Sequence, residues 1–335
     1  FGFLLLFSAM VVMSFLTDGT PAQLTGVLSL LAVFAWRGLP ATVRTVNSVN
    51  KFRTSLPFVR DTLGHMELFK QWAEAPVDWN GNAERLPFAD AFSFRDVTYR
   101  YDADGPDTLR DVSFSIGKGE SLGVVGESGA GKSTLMNVLI GLLAPTSGYL
   151  ELDGRELKGD ALRRWTHSIG YISQSPYIFD ATLAENVAFG LEPDDIDMER
   201  VRRACAQAAV DEFLDDLPQG YHTVIGERGI RLSGGQQQRI CIARALYNEP
   251  DILLFDEATS SLDSKSERQI QNTIAGLKGT ITMVIVAHRL STVEFCDSLL
   301  WIERGRVRMD GAPEQVLSEY SRHLHADEEP REASA

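Results

Sequence analysis

Apolar residues near the start of the chain form two long stretches separated by a short polar turn at residues 17–23. Residues 1–16 are almost wholly apolar, and residues 24–43 are mainly apolar with Arg37 as their one charge. About 20 such residues cross a bilayer, so the pattern predicts a transmembrane hairpin. A buried core helix is the alternative, because the uncharged part of the second stretch, residues 24–36, is short for a span.

The residues after the second stretch predict its orientation. Five basic residues follow Trp36 with no acidic residue before Asp61: Arg37, Arg44, Lys51, Arg53 and Arg60. Basic flanks favour the cytoplasmic side, so we expect this end of the hairpin to be cytoplasmic. Residues 42–68 are polar with scattered apolar positions, which predicts a helical extension. We therefore assign residues 1–72 to the end of a transmembrane domain and 73–90, rich in Pro, Asn and Gly, to a linker.

From residue 91 the pattern is that of a soluble domain. Short runs that alternate in polarity precede Gly117 and predict antiparallel β-structure. Further strands are predicted at 121–125, 148–152, 168–173, 251–257, 281–287 and 298–302, and helices at 198–210, 236–247 and 264–277. Alternating strands and helices indicate a doubly wound α/β core over 91–321. The remaining residues, 322–335, are predicted to be an acidic, disordered tail.

Composition limits the function classes. The formal net charge of −14 would repel nucleic acid, so no nucleic-acid partner is expected. A hydrophobic content of 44% is ample for a core. Cys205, Cys241 and Cys296 are widely separated and have no C-x-x-C spacing, so neither a disulfide framework nor a zinc site is indicated.

The candidate chemistry begins at residues 126–134, which read GESGAGKST between a predicted strand and a predicted helix. Glycines let such a loop curl so that its amide hydrogens point inward at the positive end of the helix dipole, an arrangement that binds polyphosphate. Lys132 would reach the β- and γ-phosphates, and the Ser133 hydroxyl would bind Mg²⁺. An ordinary glycine-rich turn is the alternative interpretation. We expect a polyphosphate ligand and Mg²⁺ at this loop.

A second candidate is the apolar run at 251–255, which ends in Asp256 and Glu257. Open α/β sheets bind ligands at the carboxyl ends of their strands, so Asp256 can face the phosphate loop and hold Mg²⁺. Glu257, one residue on, would position or polarise the attacking water. In isolation, two carboxylates at a strand end would more simply face solvent.

These motifs are joined by residues 232–239, LSGGQQQR, which resemble the signature of ABC transporter ATPase domains. In the order typical of that family, residues 171–174 (YISQ) resemble its Q-loop, 258–263 (ATSSLD) its D-loop and 286–291 (VAHRLS) its switch-histidine segment. The resemblance covers about residues 91–321. It implies an α/β ATPase with an antiparallel β subdomain and a helical subdomain.

The resemblance also implies a role for each motif. ATP would be bound by Tyr101, stacked on adenine, and by Gly126, Ser128, Gly129, Gly131, Lys132, Ser133 and Thr134. His288 and Gln174 would act with Glu257 in catalysis: His288 would contact the γ-phosphate, and Gln174 would bind the metal and link metal and water to the membrane part. Asp263 would communicate across a dimer interface. In the family two domains pair head to tail, so the signature, Leu232, Ser233, Gly234, Gly235 and Gln236, would bind ATP of a second domain.

Two features favour the exporter branch, of lipid-flippase or multidrug type. Residues 226–229 (GERG) resemble a segment typical of exporters, and the fused apolar hairpin resembles the end of a half-transporter. We expect a multi-pass protein of the cell membrane with its ATPase domain in the cytoplasm, paired with a second half-transporter as a homodimer or heterodimer. Its expected partners are membrane lipid and a hydrophobic or lipid-linked substrate. The alternatives are a soluble ABC ATPase of repair or translation and a P-loop kinase.

Overall fold

The computed structural model describes residues 9, 12–13, 21–73, 85–226, 232–258, 263–287 and 289–332. The chain divides into two compact units, residues 1–81 and 82–335. The boundary lies within the linker that the sequence predicts at 73–90.

Within its described residues, the first unit contains one long helix, α1, Pro21–Ala73, of 53 residues. It continues through Pro40 and Pro57, each of which removes a backbone hydrogen bond. No helix in the described part of the chain is long and apolar enough to cross a membrane. Most of the first predicted apolar stretch, 1–16, lies outside the described residues, so the membrane hairpin stays a prediction.

The second unit contains twelve strands and eight α-helices within its described residues. The strands are β1 Ala91–Tyr99, β2 Leu109–Gly117, β3 Ser121–Val125, β4 Ser147–Leu152, β5 Arg155–Leu157, β6 Ile169–Ile172, β7 Ala181–Thr182, β8 Val224–Ile225, β9 Ile252–Asp256, β10 Thr282–Val286, β11 Ser298–Glu303 and β12 Arg306–Gly311. The helices are α2 Lys132–Ile140, α3 Asp160–Thr166, α4 Leu183–Val187, α5 Met198–Gln207, α6 Asp211–Leu214, α7 Gly234–Tyr247, α8 Ser264–Leu277 and α9 Pro313–Glu332.

The main sheet has six strands in the order β12-β11-β3-β10-β9-β6. Its strands are parallel except for β12, which forms an antiparallel hairpin with β11. Alternate residues of β9 enter different cores: Leu253 and Phe255 pack in one cluster, Ile252 and Leu254 in the other. The sheet is therefore buried on both faces, as the continuous apolar runs in the sequence predict.

An antiparallel sheet in the order β2-β1-β4-β5 forms the β subdomain. Its Phe92 ring stacks on Trp165 of α3 with centroids 4.8 Å apart, which links this sheet to the core around α2. On the other side of the main sheet, α7 packs against α4, α5 and α8 to build the helical subdomain. The predicted fold class, an α/β domain with these two subdomains, is confirmed.

The chain end differs from the disordered tail predicted at 322–335, because α9 continues to Glu332. Val316 and Tyr320 are buried on this helix, and the Tyr320 ring meets Trp301 edge-on at 5.3 Å. His323 Nε2 lies 3.1 Å from Glu303 Oε1 at the end of β11. Of these contacts only that of His323 lies within the predicted tail, so the structure extends the packed part of the helix by a few residues, and the unpacked character of the residues that follow stays a prediction.

Candidate nucleotide site

The phosphate loop lies between β3 and α2, as the sequence predicts. Gly126, Gly129 and Gly131 have φ of 156°, 79° and 108°, values that a side chain would disfavour. α2 begins at Lys132, whose ammonium donates to the carbonyl oxygens of Gly126 at 2.8 Å and Glu127 at 3.0 Å. Burial lowers the pKa of Lys132, while the nearby carboxylates Glu257 and Asp256 act in the opposite direction.

A cavity of about 290 Å³ opens beside this loop. Its lining combines the loop with one residue before β2 and one after β9: Thr108, Ser128, Gly129, Gly131, Lys132, Ser133, Thr134 and Glu257. The structure thus brings six of the seven predicted phosphate-loop residues, all but Gly126, together with the predicted water-positioning carboxylate. These distant parts of the sequence meet because β9 and β3 flank β10 in the sheet.

The carboxylates of Asp256, the last residue of β9, and of Glu257, directly after it, both accept hydrogen bonds from residues of β6 and the loop that follows it. The Tyr171 hydroxyl donates to Asp256 Oδ2 at 2.9 Å, and Gln174 Nε2 donates to Glu257 Oε2 at 3.0 Å. Partial burial and the bond to Asp256 raise the pKa of Tyr171 to about 12. Glu257 has a φ of 49° and its backbone N–H donates to the Val286 carbonyl at 3.0 Å. This unusual conformation turns the chain out of the sheet directly after Asp256.

The oxygen donors at this edge fit a magnesium ion. Ser133 contributes a hydroxyl to the cavity lining, and Asp256 precedes Glu257, which also lines it. Gln174 donates its amide N–H to Glu257, and its side-chain oxygen is a further possible ligand, although neither Asp256 nor Gln174 lines the cavity. Within the described residues, no cluster of three or more His, Cys, Asp or Glu side chains could hold a metal ion. A nucleotide-bound Mg²⁺ needs no such cluster, since it uses one or two protein groups together with phosphates and water.

Tyr101 lies beside the phosphate-loop helix. Its hydroxyl is 3.2 Å from Thr134 Oγ1, and its ring meets Tyr99 edge-on at 5.0 Å. The residue is 60% exposed, so much of its surface is accessible to a ligand. Its position next to the cavity is compatible with the predicted adenine contact.

The signature residues 232–236 lie elsewhere, at the start of α7. Ser233 Oγ accepts from the backbone N–H of Gln236 at 3.3 Å, and the Gln236 side chain accepts from the Ser233 N–H at 2.8 Å, which forms a capping box. A Cβ on Gly235 would lie 2.9 Å from the Cβ of Ser266, so α7 and α8 approach each other closely at this glycine. None of residues 232–236 lines the cavity at the phosphate loop.

Asp263 caps α8. Its carboxylate accepts from the Ser266 hydroxyl at 2.7 Å and from two backbone N–H groups, and these bonds lower its pKa, the hydroxyl bond most. His288 lies outside the described residues, as do 227–231 and 259–262. The roles expected of the switch histidine and of most of the GERG and D-loop segments therefore stay predictions.

Three features of the site go beyond the sequence motifs. Tyr171 is the first residue of the Q-loop segment, and its bond to Asp256 is not part of what the motif predicts. Thr108 lines the cavity without belonging to a motif. The third is an ion pair between Arg289, next to the switch histidine, and Glu267 of α8, whose side chain is only 9% exposed. An acidic residue on the buried face of α8, three positions after the helix start, is the one sequence signal that points to this pair.

The fold and the site together define a P-loop ATPase of the ABC type. Residues 109–260 match the family described as ABC transporter, and the chain belongs to that family. It carries an ABC exporter nucleotide-binding domain.

Known proteins similar to this chain include proteins named as flippases and an exporter. An ATP-dependent lipid A-core flippase of Ralstonia nicotianae is 43% identical over 225 residues, which cover 67% of this chain and 38% of that protein. One of Aromatoleum aromaticum is 35% identical over 332 residues, 96% of this chain and 53% of that protein. The solved structure of a bacterial Atm1-family ABC exporter with ATP bound has a TM-score of 0.65 at 33% identity, over 83% of this chain and 48% of that one. The chain thus spans about half or less of the length of these relatives.

Proposed function

We propose that this chain is the ATP-binding and ATP-hydrolysing half of a membrane exporter. It couples ATP-driven dimerisation and hydrolysis to the export or flipping of a lipid-like or amphipathic substrate. The observation that carries the proposal is the cavity that phosphate-loop residues share with Glu257. A lysine, the first amides of a helix and a carboxylate at one cavity can bind a polyphosphate and activate a water next to it.

Each predicted residue has a role in this proposal. Lys132 exchanges its two carbonyl partners for the β- and γ-phosphates, which the first amides of α2 also bind. Mg²⁺, held by Ser133, Asp256 and Gln174, neutralises phosphate charge when bound. Glu257 orients and polarises the attacking water, and His288 contacts the γ-phosphate. Tyr101 stacks on the adenine, with its hydroxyl 3.2 Å from the loop helix.

The second anion site of the chain acts on a different nucleotide. The signature starts α7, a helix of 14 residues whose N-terminal amides favour an anion, yet it is absent from the lining of the cavity. We infer that each ATP lies between the phosphate loop of one domain and the signature of the other. The partner is a second half-transporter, either a copy of this chain or a related one, and Asp263 communicates between the two sites.

The relatives support the proposed substrate class and location. Two of the similar proteins carry the name lipid A-core flippase, which supports a lipid-like substrate. We propose that the whole protein is a multi-pass protein of the cell membrane with this domain in the cytoplasm, and that nucleic acid is not a partner.

A Glu257→Gln variant tests the ATPase proposal. Since the amide cannot polarise water as a carboxylate does, we expect ATP binding to stay intact, turnover to stop and a nucleotide-bound dimer to accumulate. Steady-state phosphate release, equilibrium ATP binding and size-exclusion chromatography measure the three effects. Glu294→Gln, at an exposed position, is the control and should hydrolyse normally. Normal turnover by Glu257→Gln would contradict the proposal.

Recovery of the full-length protein tests the membrane assignment. We expect it in the membrane fraction, from which detergent and not salt releases it. A full-length protein recovered wholly from the soluble fraction would instead favour a soluble ABC ATPase of repair or translation.

A further inference from the structure

Tyr171 reaches from one strand of the main sheet to the end of its neighbour. β6 and β9 are parallel, and Tyr171 pairs with Leu254, two residues before Asp256. The phenol extends toward the carboxyl end of β9, where its hydroxyl donates to Asp256 Oδ2 at 2.9 Å. The contact therefore joins two strands at the edge of the sheet where the nucleotide cavity opens.

The bond restricts a carboxylate that has few other constraints. Asp256 is the last residue of β9 and is only partly buried, so its side chain can rotate unless a partner holds one oxygen. A hydroxyl bond to an ionised carboxylate is stronger than one between neutral groups. A carboxylate has about four lone-pair sites, so one phenol donor leaves the capacity to bind a cation or its water shell.

The same segment holds the adjacent carboxylate. Gln174, three residues after Tyr171, donates to Glu257 Oε2 at 3.0 Å. Residues 171–174 thus contact both the predicted metal ligand and the predicted water-positioning group. The amide contact belongs to the Q-loop glutamine, whereas the phenol contact comes from a residue to which the motif assigns no role.

We propose that Tyr171 is a positioning residue for Asp256, and that its hydroxyl holds the carboxylate in the orientation that binds nucleotide-associated Mg²⁺. This inference rests on the proposed ATPase function. Tyr171 itself does not touch the nucleotide or the metal in this scheme; it acts through Asp256 alone.

The test is Tyr171→Phe in the full chain, a change that removes one oxygen and keeps the ring. Groups that orient a metal ligand typically contribute about 10–100-fold to metal affinity. We expect the Mg²⁺ concentration for half-maximal binding of a fluorescent ATP analogue to rise at least about 10-fold. Affinity for the same analogue in EDTA should stay within about 2-fold of wild type, since the phosphate loop and Tyr101 are unchanged.

The matched control is Tyr149→Phe. Tyr149 is 40% exposed and Tyr171 is 44% exposed, but Tyr149 lies on β4 of the antiparallel sheet. Its Mg²⁺ titration should match wild type. Hydrolysis at saturating Mg²⁺ provides a second readout, in which Tyr171→Phe should approach the wild-type kcat as the metal is raised.

The possible results separate the inference from the function on which it rests. An unchanged or lower Mg²⁺ requirement for Tyr171→Phe would overturn the inference, since the phenol would then be neutral or would compete with the metal. Loss of affinity in EDTA, or loss of the folded state, would also overturn it by indicating a general structural role. If wild type itself bound the analogue without any dependence on Mg²⁺, the metal site of the proposed function would fail first.

Discussion

Gly305 is the residue at which the turn between β11 and β12 supports the phosphate loop. Its N–H donates to the Ala130 carbonyl at 2.9 Å, and its own carbonyl accepts from the Arg110 N–H at 2.7 Å. Its φ is +79°, and a Cβ there would overlap the Thr108 carbonyl oxygen and lie 3.0 Å from the Thr108 carbonyl carbon. Replacement by Ala should therefore disturb both the turn and the loop.

Comparison with a matched glycine separates the conformational part of the destabilisation by Gly305→Ala from its steric part. Gly279 has nearly the same φ, +77°, but a methyl group added there would have no other atom within 4 Å of it. In Gly279→Ala the free energy of unfolding should fall only by the cost of placing an L-residue in the left-handed region, about 1–2 kcal/mol. In Gly305→Ala the free energy of unfolding should fall by the same amount and, in addition, by the cost of overpacking, about 1–3 kcal/mol. For a difference of about 2 kcal/mol, the Tm of Gly305→Ala should lie about 4–8 °C below that of Gly279→Ala.

Two assays check this prediction. Thermal unfolding of the full chain measures the Tm of wild type and both variants, and equilibrium binding measures their affinity for ATP. We expect weaker binding only in Gly305→Ala. The turn at Gly305 is hydrogen-bonded to Ala130 of the phosphate loop, whereas the turn at Gly279 is not. Equal Tm shifts in the two variants, or normal ATP affinity in a clearly destabilised Gly305→Ala, would refute the reasoning.

Three further predictions concern other contacts. Tyr101→Phe should keep ATP affinity, whereas Tyr101→Ala should lose the stacking of the base, about 1–3 kcal/mol, in equilibrium binding. Burial alone would raise the pKa of Asp153, but hydrogen bonds from the N–H groups of residues 89–91 lower this pKa on balance. The contribution of Asp153 to stability is therefore complete above about pH 4 and is lost as the pH falls through the lowered pKa. The Tm difference between wild type and Asp153→Asn should therefore close in acid, and a gap that widened there would contradict this. A double-mutant cycle of Glu267→Gln and Arg289→Gln should give a coupling energy of about 1 kcal/mol in unfolding free energy, since the Arg289 side chain is half exposed. Additive effects of the two substitutions would contradict a stabilising ion pair.

The sequence predicts elements well where one local signal dominates. The helix expected at 264–277 begins and ends at those residues, because Asp263 supplies an N-cap ahead of a helical apolar pattern. The buried strand at β9 is equally clear from its continuous apolar run. β7 and β8, of two residues each, carry no detectable period and exist through pairing with each other.

The site is predictable to the extent that motifs encode it. The phosphate-loop residues and Glu257 are expected at one site, and six of the seven loop residues line one cavity with Glu257, the exception being Gly126. The bond between Tyr171 and Asp256 joins residues 85 positions apart, and it depends on the pairing of β6 with β9. No local pattern reports that pairing. The start of the predicted tail differs from expectation for a related reason, since the contact of His323 with Glu303 at the end of β11 depends on the tertiary structure.

The two carbonyl bonds of Lys132 determine what its substitution can measure. Without nucleotide the ammonium already donates hydrogen bonds to the Gly126 and Glu127 carbonyl oxygens, so ATP binding exchanges these bonds for bonds to phosphate oxygens. The free energy that Lys132 contributes to affinity is the difference between the two sets of bonds. The loop also keeps its charge and curvature ready before ATP arrives, which reduces the reorganisation that binding requires.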